Sequence, residues 1–535
     1  MKMVKSLMLG SAAGLIAMSG AQAADLPVKA KAVEYVKICS LYGAGFFYIP
    51  GTDTCIKLGG YLRVDTTFNG SIYDQPAWSG DLGLGDRYVN HEVSRARMAV
   101  TVDTRTATQY GVVRTFGQGD FQYDTLGQSS FAPGGLASNL GANSTTLLMT
   151  PGSGYVAVEY VFLQFAGFTF GKSSSAYASP WNGYPGNNTS YLIGGNDSVT
   201  GVMNIQYTAQ FGNGVSGSIG LDDPSAFNRT AIYNLATGAV APGAAPGGLS
   251  AAGVTANAYG GVDMPDVVGN IRVDQAWGLF QISGALHEVD ASYNTLSGLA
   301  GATPASPAGP TAASALSGHP STKYGGSVMA ALQIKNLPTG AGDDIKFDAS
   351  YAVGDTKNVI STSAASPNFL MLGGTSTQFG PAQTIGFGAT TDAVYLPGAA
   401  GGDGSLHLTT AYGVRGAFNH NWDPFWSTSL FGGMGWVRYD STARTEYCAA
   451  YAVAVAGMGV TYGCNPNYTM SMLGAVTRWT PVTNLTFSAE VLWAHLTTGF
   501  TGTAAFSPGA PYPVTALTFH SQDTASLNVR VQRNF

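Results

Sequence analysis

Charge is scarce in this 535-residue chain: Asp, Glu, Lys and Arg together supply 10% of it, against about 25% in an average soluble domain. A long chain with 45% hydrophobic residues and so little charge is not a disordered protein. Long apolar runs are missing too. Beyond Leu7 to Met18 the nearest is Ala449 to Val460, far short of the roughly 20 residues a helix needs to cross a bilayer. A helical membrane protein is excluded, so a membrane protein made of this chain has to be a barrel. The formal charge is only -6 and the 25 basic residues are scattered, which gives no footprint for a nucleic-acid partner.

Motifs for chemistry are equally sparse. Only four cysteines occur, without a CxxC spacing or a nearby histidine, so no metal is expected. Seven histidines are present, among them His91, His407 and His495, but no G-x-S-x-G elbow accompanies them. Gly401-Gly-Asp-Gly404 lacks the Lys-Ser/Thr ending of a phosphate loop. The chain is read as not an enzyme, and no cofactor is expected.

What the chain does contain is alternation. Ser526 to Phe535 places Leu527, Val529, Val531 and Phe535 on one face and Ser526, Asn528, Arg530, Gln532 and Asn534 on the other. Ile56 to Phe68 sends Leu58, Leu62, Val64 and Phe68 one way and Lys57, Tyr61, Arg63, Asp65 and Thr67 the other. Met203 to Phe211, Asp344 to Val353 and Leu406 to Phe418 repeat the pattern, the last turning His407 to the polar face. In a membrane barrel the apolar face meets lipid and the polar face lines a lumen. A soluble sandwich also alternates, but the amino terminus points to export. Lys2 and Lys5 precede the apolar stretch, and Ala21-Gln22-Ala23 offers small residues for cleavage, so residues 1–23 read as a signal peptide.

Connections take turns between short and long. Tight turns are expected at Asp103–Thr108, Gln164–Phe168, Phe211–Val215, Asp274–Gly278, Asn336–Asp343, Asn419–Phe425 and Thr480–Asn484. Long Gly, Ala, Ser and Pro-rich loops are expected at about 70–90, 118–153, 173–197, 223–265, 290–322, 355–404, 440–467 and 497–522. The fold class is therefore all-β: a transmembrane antiparallel barrel of about sixteen strands over 56–535, with a segment 24–55 preceding strand one and too short for a globular plug. Phe168 to Lys172 and Tyr468 to Trp479 carry the weakest strand patterns. About sixteen strands leave a water-filled lumen.

The stretch Val33-Glu-Tyr-Val-Lys-Ile-Cys39, continuing through Tyr42-Gly-Ala-Gly-Phe-Phe-Tyr-Ile-Pro-Gly-Thr-Asp-Thr-Cys55 to Arg63, resembles the amino-terminal signature of the alphaproteobacterial porin family. Ser94-Arg-Ala-Arg-Met-Ala, Gly167-Phe-Thr-Phe-Gly-Lys172 and Val529 to Phe535 extend the resemblance along the mature chain. It implies a trimeric general diffusion porin of the bacterial outer membrane. Its partners are then the lipid bilayer, lipopolysaccharide, two further copies and small hydrophilic solutes and ions. The final Phe535 fits what barrel-insertion machinery prefers in this class. The outward residues Leu58, Leu62, Leu527 and Val529 fall where the family's trimer seam lies.

Four cysteines allow three pairings; proximity favours Cys39 with Cys55 and Cys448 with Cys464. For the pore, Arg63, Arg95 and Arg97 share the lumen parity and Arg114 extends them as a basic ladder. The resemblance implies an inward-folded third loop, 173–197, opposing that ladder. This loop carries Asp197 but few other carboxylates, so Asp65, Glu159, Asp120 and Asp124 are the further candidates. Weak ion selectivity of unresolved sign is expected. Alternatives are a sugar- or anion-selective channel using loop aromatics such as Trp181, Tyr184 and Tyr191, a surface adhesin, or a barrel hydrolase.

Overall fold

Strands with one apolar face and no water beyond it cannot leave an open edge, because each unpaired N–H or C=O in hydrocarbon costs several kcal/mol; the sheet must close on itself. The structure, a computed structural model, describes residues 37–70, 92–125, 153–190, 192–237, 257–294, 316, 318–362, 368–373, 384–455, 461–506 and 515–535. The expected signal peptide over 1–23, loop 70–90 beyond residue 70, His91 and Tyr191 lie outside the described residues.

Among the described residues sixteen antiparallel strands form one barrel. They are β1 (Thr54–Phe68), β2 (Glu92–Thr108), β3 (Gly111–Asp124), β4 (Ser153–Phe165), β5 (Phe168–Ser173), β6 (Val202–Gly212), β7 (Val215–Asp222) and β8 (Asp266–Gln275). The second half comprises β9 (Gly278–Val289), β10 (Lys323–Lys335), β11 (Asp344–Val353), β12 (Thr410–Asn421), β13 (Trp426–Arg438), β14 (Tyr468–Val482), β15 (Leu485–Thr498) and β16 (Gln522–Asn534). Each pairs with the next, and β16 returns to β1 with Val531 opposite Val64. Phe535 completes the seam: its N–H donates to Gly60 O (3.0 Å) and its carbonyl accepts from Gly60 N–H (3.1 Å). A Cβ at Gly60 would lie 2.0 Å from Ala99 O, so only glycine admits this approach. No described helix is long and apolar enough to cross a membrane.

The alternation has the orientation expected of a membrane barrel. Leu58, Leu62, Val64, Met203, Ile205, Phe347 and Tyr351 are exposed outward, while Asp65, Thr67, Asn204, Asp348 and Ser350 are buried inward. Turns on one side are tight. At Ala166-Gly167 and Asn213-Gly214 both residues have positive φ, the backbone that matches strand twist in a two-residue hairpin. The turn expected at Asp103–Thr108 is displaced: β2 runs on to Thr108 and reverses at Gln109 and Tyr110. Its polar residues mislead because Asp103 and Arg105 are lumen-facing partners, not turn formers. Asp120 and Asp124 likewise sit on β3 and not in a loop.

The strand expected from Leu406 to Phe418 divides. Only Thr410 onward joins the barrel; His407–Leu408 pairs with Thr391–Tyr395 in a small sheet on the side of the long loops, so His407 does not face the lumen. There its imidazole bridges Asp403 (3.1 Å) and Asp440 (3.4 Å). Beside it lies α1 (Ser441–Ala454), capped by Asp440, whose carboxylate accepts the Ala443 N–H at 2.7 Å. Both disulfides form, Cys39–Cys55 and Cys448–Cys464. The second ties α1 to the chain entering β14.

Long loops also fold back into the barrel. Leu192, Ile193, Val359, Ile360, Phe387 and Leu396 join Tyr447 and Tyr451 of α1 in one apolar cluster with Val437, Met470, Met472, Val476, Leu492 and Leu496 of β13–β15. Where these strands meet the long loops, the inner wall of β13–β15 is therefore apolar and covered by protein. The open, water-facing wall lies on the other side, along β1–β8.

Candidate functional site

Two neighbouring strands, β1 and β2, and the closing strand β16 bring four arginines to one wall. The register sets Arg63 opposite Arg97 and Gln532, and Asp65 opposite Arg95 and Arg530. Asp65 is buried and takes both neighbours: Arg95 donates from Nη2 (2.7 Å) and Nε (3.0 Å) to Oδ2, and Arg530 donates from Nε to Oδ1. Two guanidinium groups on one carboxylate leave net positive charge on the wall, with hydrogen bonds that fix its geometry. Arg97 donates to Asp120 (2.9 Å) and Gln122 (2.6 Å) and lies 3.5 Å from Glu159. Arg63 donates to Gln532 Oε1 (2.8 Å) and stacks on Tyr61 (4.6 Å). Among the described residues no carboxylate stands within ion-pair distance of it.

Glu159 reaches this wall through a bulge. Gln118 pairs with Tyr160 and Gly119 with Val158, so Glu159 is the extra residue. A bulge re-aims side chains, and Glu159 and Tyr160 both line the cavity beside this wall while Val161 stays outward.

The third loop, described over 174–190 and 192–201, lies across the lumen and is held by side chains from many strands. Thr189 N–H donates to Glu490 (2.9 Å), Arg478 to Gly186 O (2.6 Å), Gln281 to Ala178 O (2.7 Å), Asn270 to Ala176 O (2.6 Å) and Asn419 to Pro185 O (3.0 Å). Trp181 Nε1 donates to Asp348 (2.5 Å), which also receives Arg415 (2.9 Å). Arg415 and Asp348 are both fully buried, and Arg415 Nη1 reaches Leu192 O at 3.4 Å. The loop's backbone polar groups are thus satisfied from the barrel wall, as buried backbone requires.

Between the arginine wall and the loop lies a cavity of about 720 Å³. Arg63, Arg95, Arg97 and Arg530 line one side, and Tyr184, Asn188, Ser190 and Thr200 of the loop line another. Lys172 closes a third, its Nζ donating to Val158 O (2.7 Å) and Glu159 O (3.1 Å). Charges nearly balance: Arg63, Arg95, Arg97, Arg530 and Lys172 stand against Asp65, Asp120, Asp124, Glu159 and Asp223.

Two candidate residues are not brought to this wall. Arg114 faces the lumen eight residues nearer the tight turns than Gln122, the partner of Arg97, and so roughly 27 Å away along the strand. There it pairs with Asp103 (3.0 Å) and Gln164 (2.9 Å). Asp197 is buried on the loop's other flank. Its N–H donates to Ser361 (3.0 Å) and its carboxylate accepts from Val199 N–H (3.0 Å). Burial raises its pKa to about 6, with Arg415 and Lys357 as the cations nearby, and burial lowers Lys357 to about 8. A Cβ at Gly183 would meet the Asp197 carboxylate at 2.7 Å, which keeps that corner of the loop tight.

Arg530 is the wall residue the ladder omits. Its parity marks it as lumen-facing, but its place beside Asp65 depends on closure between the two ends of the barrel, which no local pattern carries. On the outer side, Asp403, His407 and Glu446 have ligand atoms within 4.8 Å of one another. Glu446 is already engaged there by the N–H groups of Leu396 (3.1 Å) and Asp403 (2.7 Å), which makes the group a fastener of the loop layer.

Comparison with known proteins agrees with this architecture. The profile of the porin subfamily matches residues 25–526. Porin Omp2b of Brucella canis is 34% identical over 285 residues, 51% of this chain and 63% of the relative; Porin Omp2b of Brucella suis biovar 1 is 34% identical over 283 residues with the same coverage. The match thus spans less than two thirds of these relatives. The outer membrane channel DcaP of Acinetobacter baumannii superposes with a TM-score of 0.50 over 91% of this chain and 99% of its own, at 14% identity, a likeness of fold alone.

Proposed function

Because this chain belongs to the porin subfamily, we propose that it forms a passive, water-filled channel through which small hydrophilic solutes and ions diffuse. Its place is the bacterial outer membrane, where the barrel is integral. The observation that carries the reading is the 720 Å³ cavity between a wall of four arginines and a loop pinned across the lumen. Transport needs no reaction here: the barrel wall excludes lipid, the loop narrows the path, and fixed charges set which ions dwell in it. Arg63, Arg95, Arg97, Arg530, Asp65 and Glu159 form the constriction; Arg114 belongs to the exit toward the tight turns, and Asp197 supports the loop. The near balance of charge gives weak selectivity, and the unpaired Arg63 sets its sign toward anions.

The working unit is a homotrimer with Leu58, Leu62, Leu527 and Val529 in its seam; all four are exposed on the outer face of β1 and β16. Lipopolysaccharide surrounds the long loops. Planar-bilayer recording of the purified, refolded protein under a salt gradient tests the reading. Steps of nanosiemens order in groups of three, with a small reversal potential, are expected. Silence from a correctly folded barrel would refute the channel and favour an adhesin or a hydrolase.

A further inference from the structure

On the tight-turn side of the constriction, β3 and β4 turn three aromatic rings into the lumen. Phe116 and Phe162 stack with centroids 5.3 Å apart, and Tyr160 meets Phe116 edge-on at 6.4 Å. All three are half-buried, so each keeps part of its ring open to the lumen. Phenylalanine there is unexpected: facing water, it forgoes about 25 cal/mol for each Å² of apolar surface it could otherwise bury. The lipid is out of reach, since Val161 and Leu163 between them take the outward positions.

The surroundings of the rings point to a ligand class. They line a cavity of about 330 Å³ together with Gln118, Gln164 and Gln206. An amide side chain both donates and accepts, as a sugar hydroxyl does. Arg114 rests over Phe116 (5.3 Å) and Phe162 (5.5 Å), but its charge is already committed to Asp103 at 3.0 Å and one Nη to Gln164. An apolar ring surface bordered by neutral amides, and by one arginine whose charge is already paired, matches a pyranose, which has one face of C–H bonds and a rim of hydroxyls. Gln118 and Tyr160 line this cavity and the constriction alike, so the two adjoin.

We propose that Phe116, Phe162 and Tyr160 form a binding subsite for neutral saccharides inside the lumen. The proposal deepens the channel reading and rests on it. The test uses the refolded protein in planar bilayers, with maltose as probe and a polyethylene glycol of equal mass as control. Maltose is expected to reduce conductance saturably, with half-block at millimolar concentration, while the glycol gives only a non-saturating decrease. Replacing both phenylalanines, F116A with F162A, is expected to raise the half-blocking concentration at least tenfold, each variant being normalised to its own open conductance. F116L with F162L keeps apolar volume without the flat ring, and should show the same loss if the alanine variant fails to fold. Maltose and glycol curves of one shape, or an unchanged half-block in the folded variant, overturn the subsite while leaving the channel standing. Saturable block by benzoate but not maltose reassigns the rings to aromatic anions and overturns the saccharide. A folded barrel without conductance overturns the channel and the subsite together.

Discussion

Neutralising Arg63 gives the sharpest test of the constriction, because among the described residues no carboxylate stands within ion-pair distance of this cation to complicate its removal. Taken as a sphere, the 720 Å³ cavity has a radius of about 5.5 Å, and an ion at that distance from one charge gains or loses about 0.75 kcal/mol in water. At 0.1 M salt the Debye length of about 10 Å reduces this to about 0.4 kcal/mol. Anion and cation respond with opposite signs, so Arg63→Gln changes their difference by about 0.9 kcal/mol, about fourfold in the permeability ratio. Arg63→Glu doubles the energy and gives about 20-fold toward cations. At 1 M salt, with a Debye length of about 3 Å, the Gln effect shrinks to about 1.5-fold. Reversal potentials at both salt concentrations read these numbers, and circular dichroism confirms the barrel. An unchanged ratio at 0.1 M in a folded variant refutes the placement of Arg63 in the ion path.

Arg415→Met leaves Asp348 buried and uncompensated, at a cost of about 3–5 kcal/mol; it should release the third loop, seen as noisier and larger conductance steps, and quiet wild-type-sized steps would count against the anchor. Cys448→Ser with Cys464→Ser opens a ring with a sequence separation of 16, and about 3 kcal/mol of local stability should be lost around α1, read by proteolysis of the long loops under non-reducing conditions. Asp197 has its folded pKa raised to about 6 from 3.8, so the folded state holds the proton more tightly than the unfolded one. Loop stability should therefore fall as pH rises from about 4 to 6, by at most about 3 kcal/mol, and then level off. Hydrogen exchange in residues 192–200 across that range checks the sign, and Asp197→Asn should flatten the profile.

How much of this was legible depends on the range over which each signal acts. Orientation on β1, β6 and β11 could be read directly, since a strand's period of two is local. The weak patterns of β5 and β14 have different causes. β5 is only six residues long, and in β14 apolar residues fall on both faces, because Met470, Met472 and Val476 meet the loop layer while Leu473 meets lipid. Nothing in the sequence of β14 says that its lumen side is covered. The wall was half legible for the same reason: parity put Arg63, Arg95 and Arg97 on one face, but spacing along β3, not parity, decides that Arg114 is remote. Asp197 had the right loop and the wrong flank, because a loop without period gives no direction to its side chains.

The seam where β16 meets β1 carries a consequence for assembly. Arg530 and Asp65 belong to opposite ends of the chain, so their ion pair cannot exist in a sheet that is still open. The charged filter and the sealing of the barrel are thus one event: an unfinished barrel has neither a continuous wall against lipid nor a finished filter. On the channel reading proposed above, membrane leakage through half-made protein is limited by the same step that completes the charged wall.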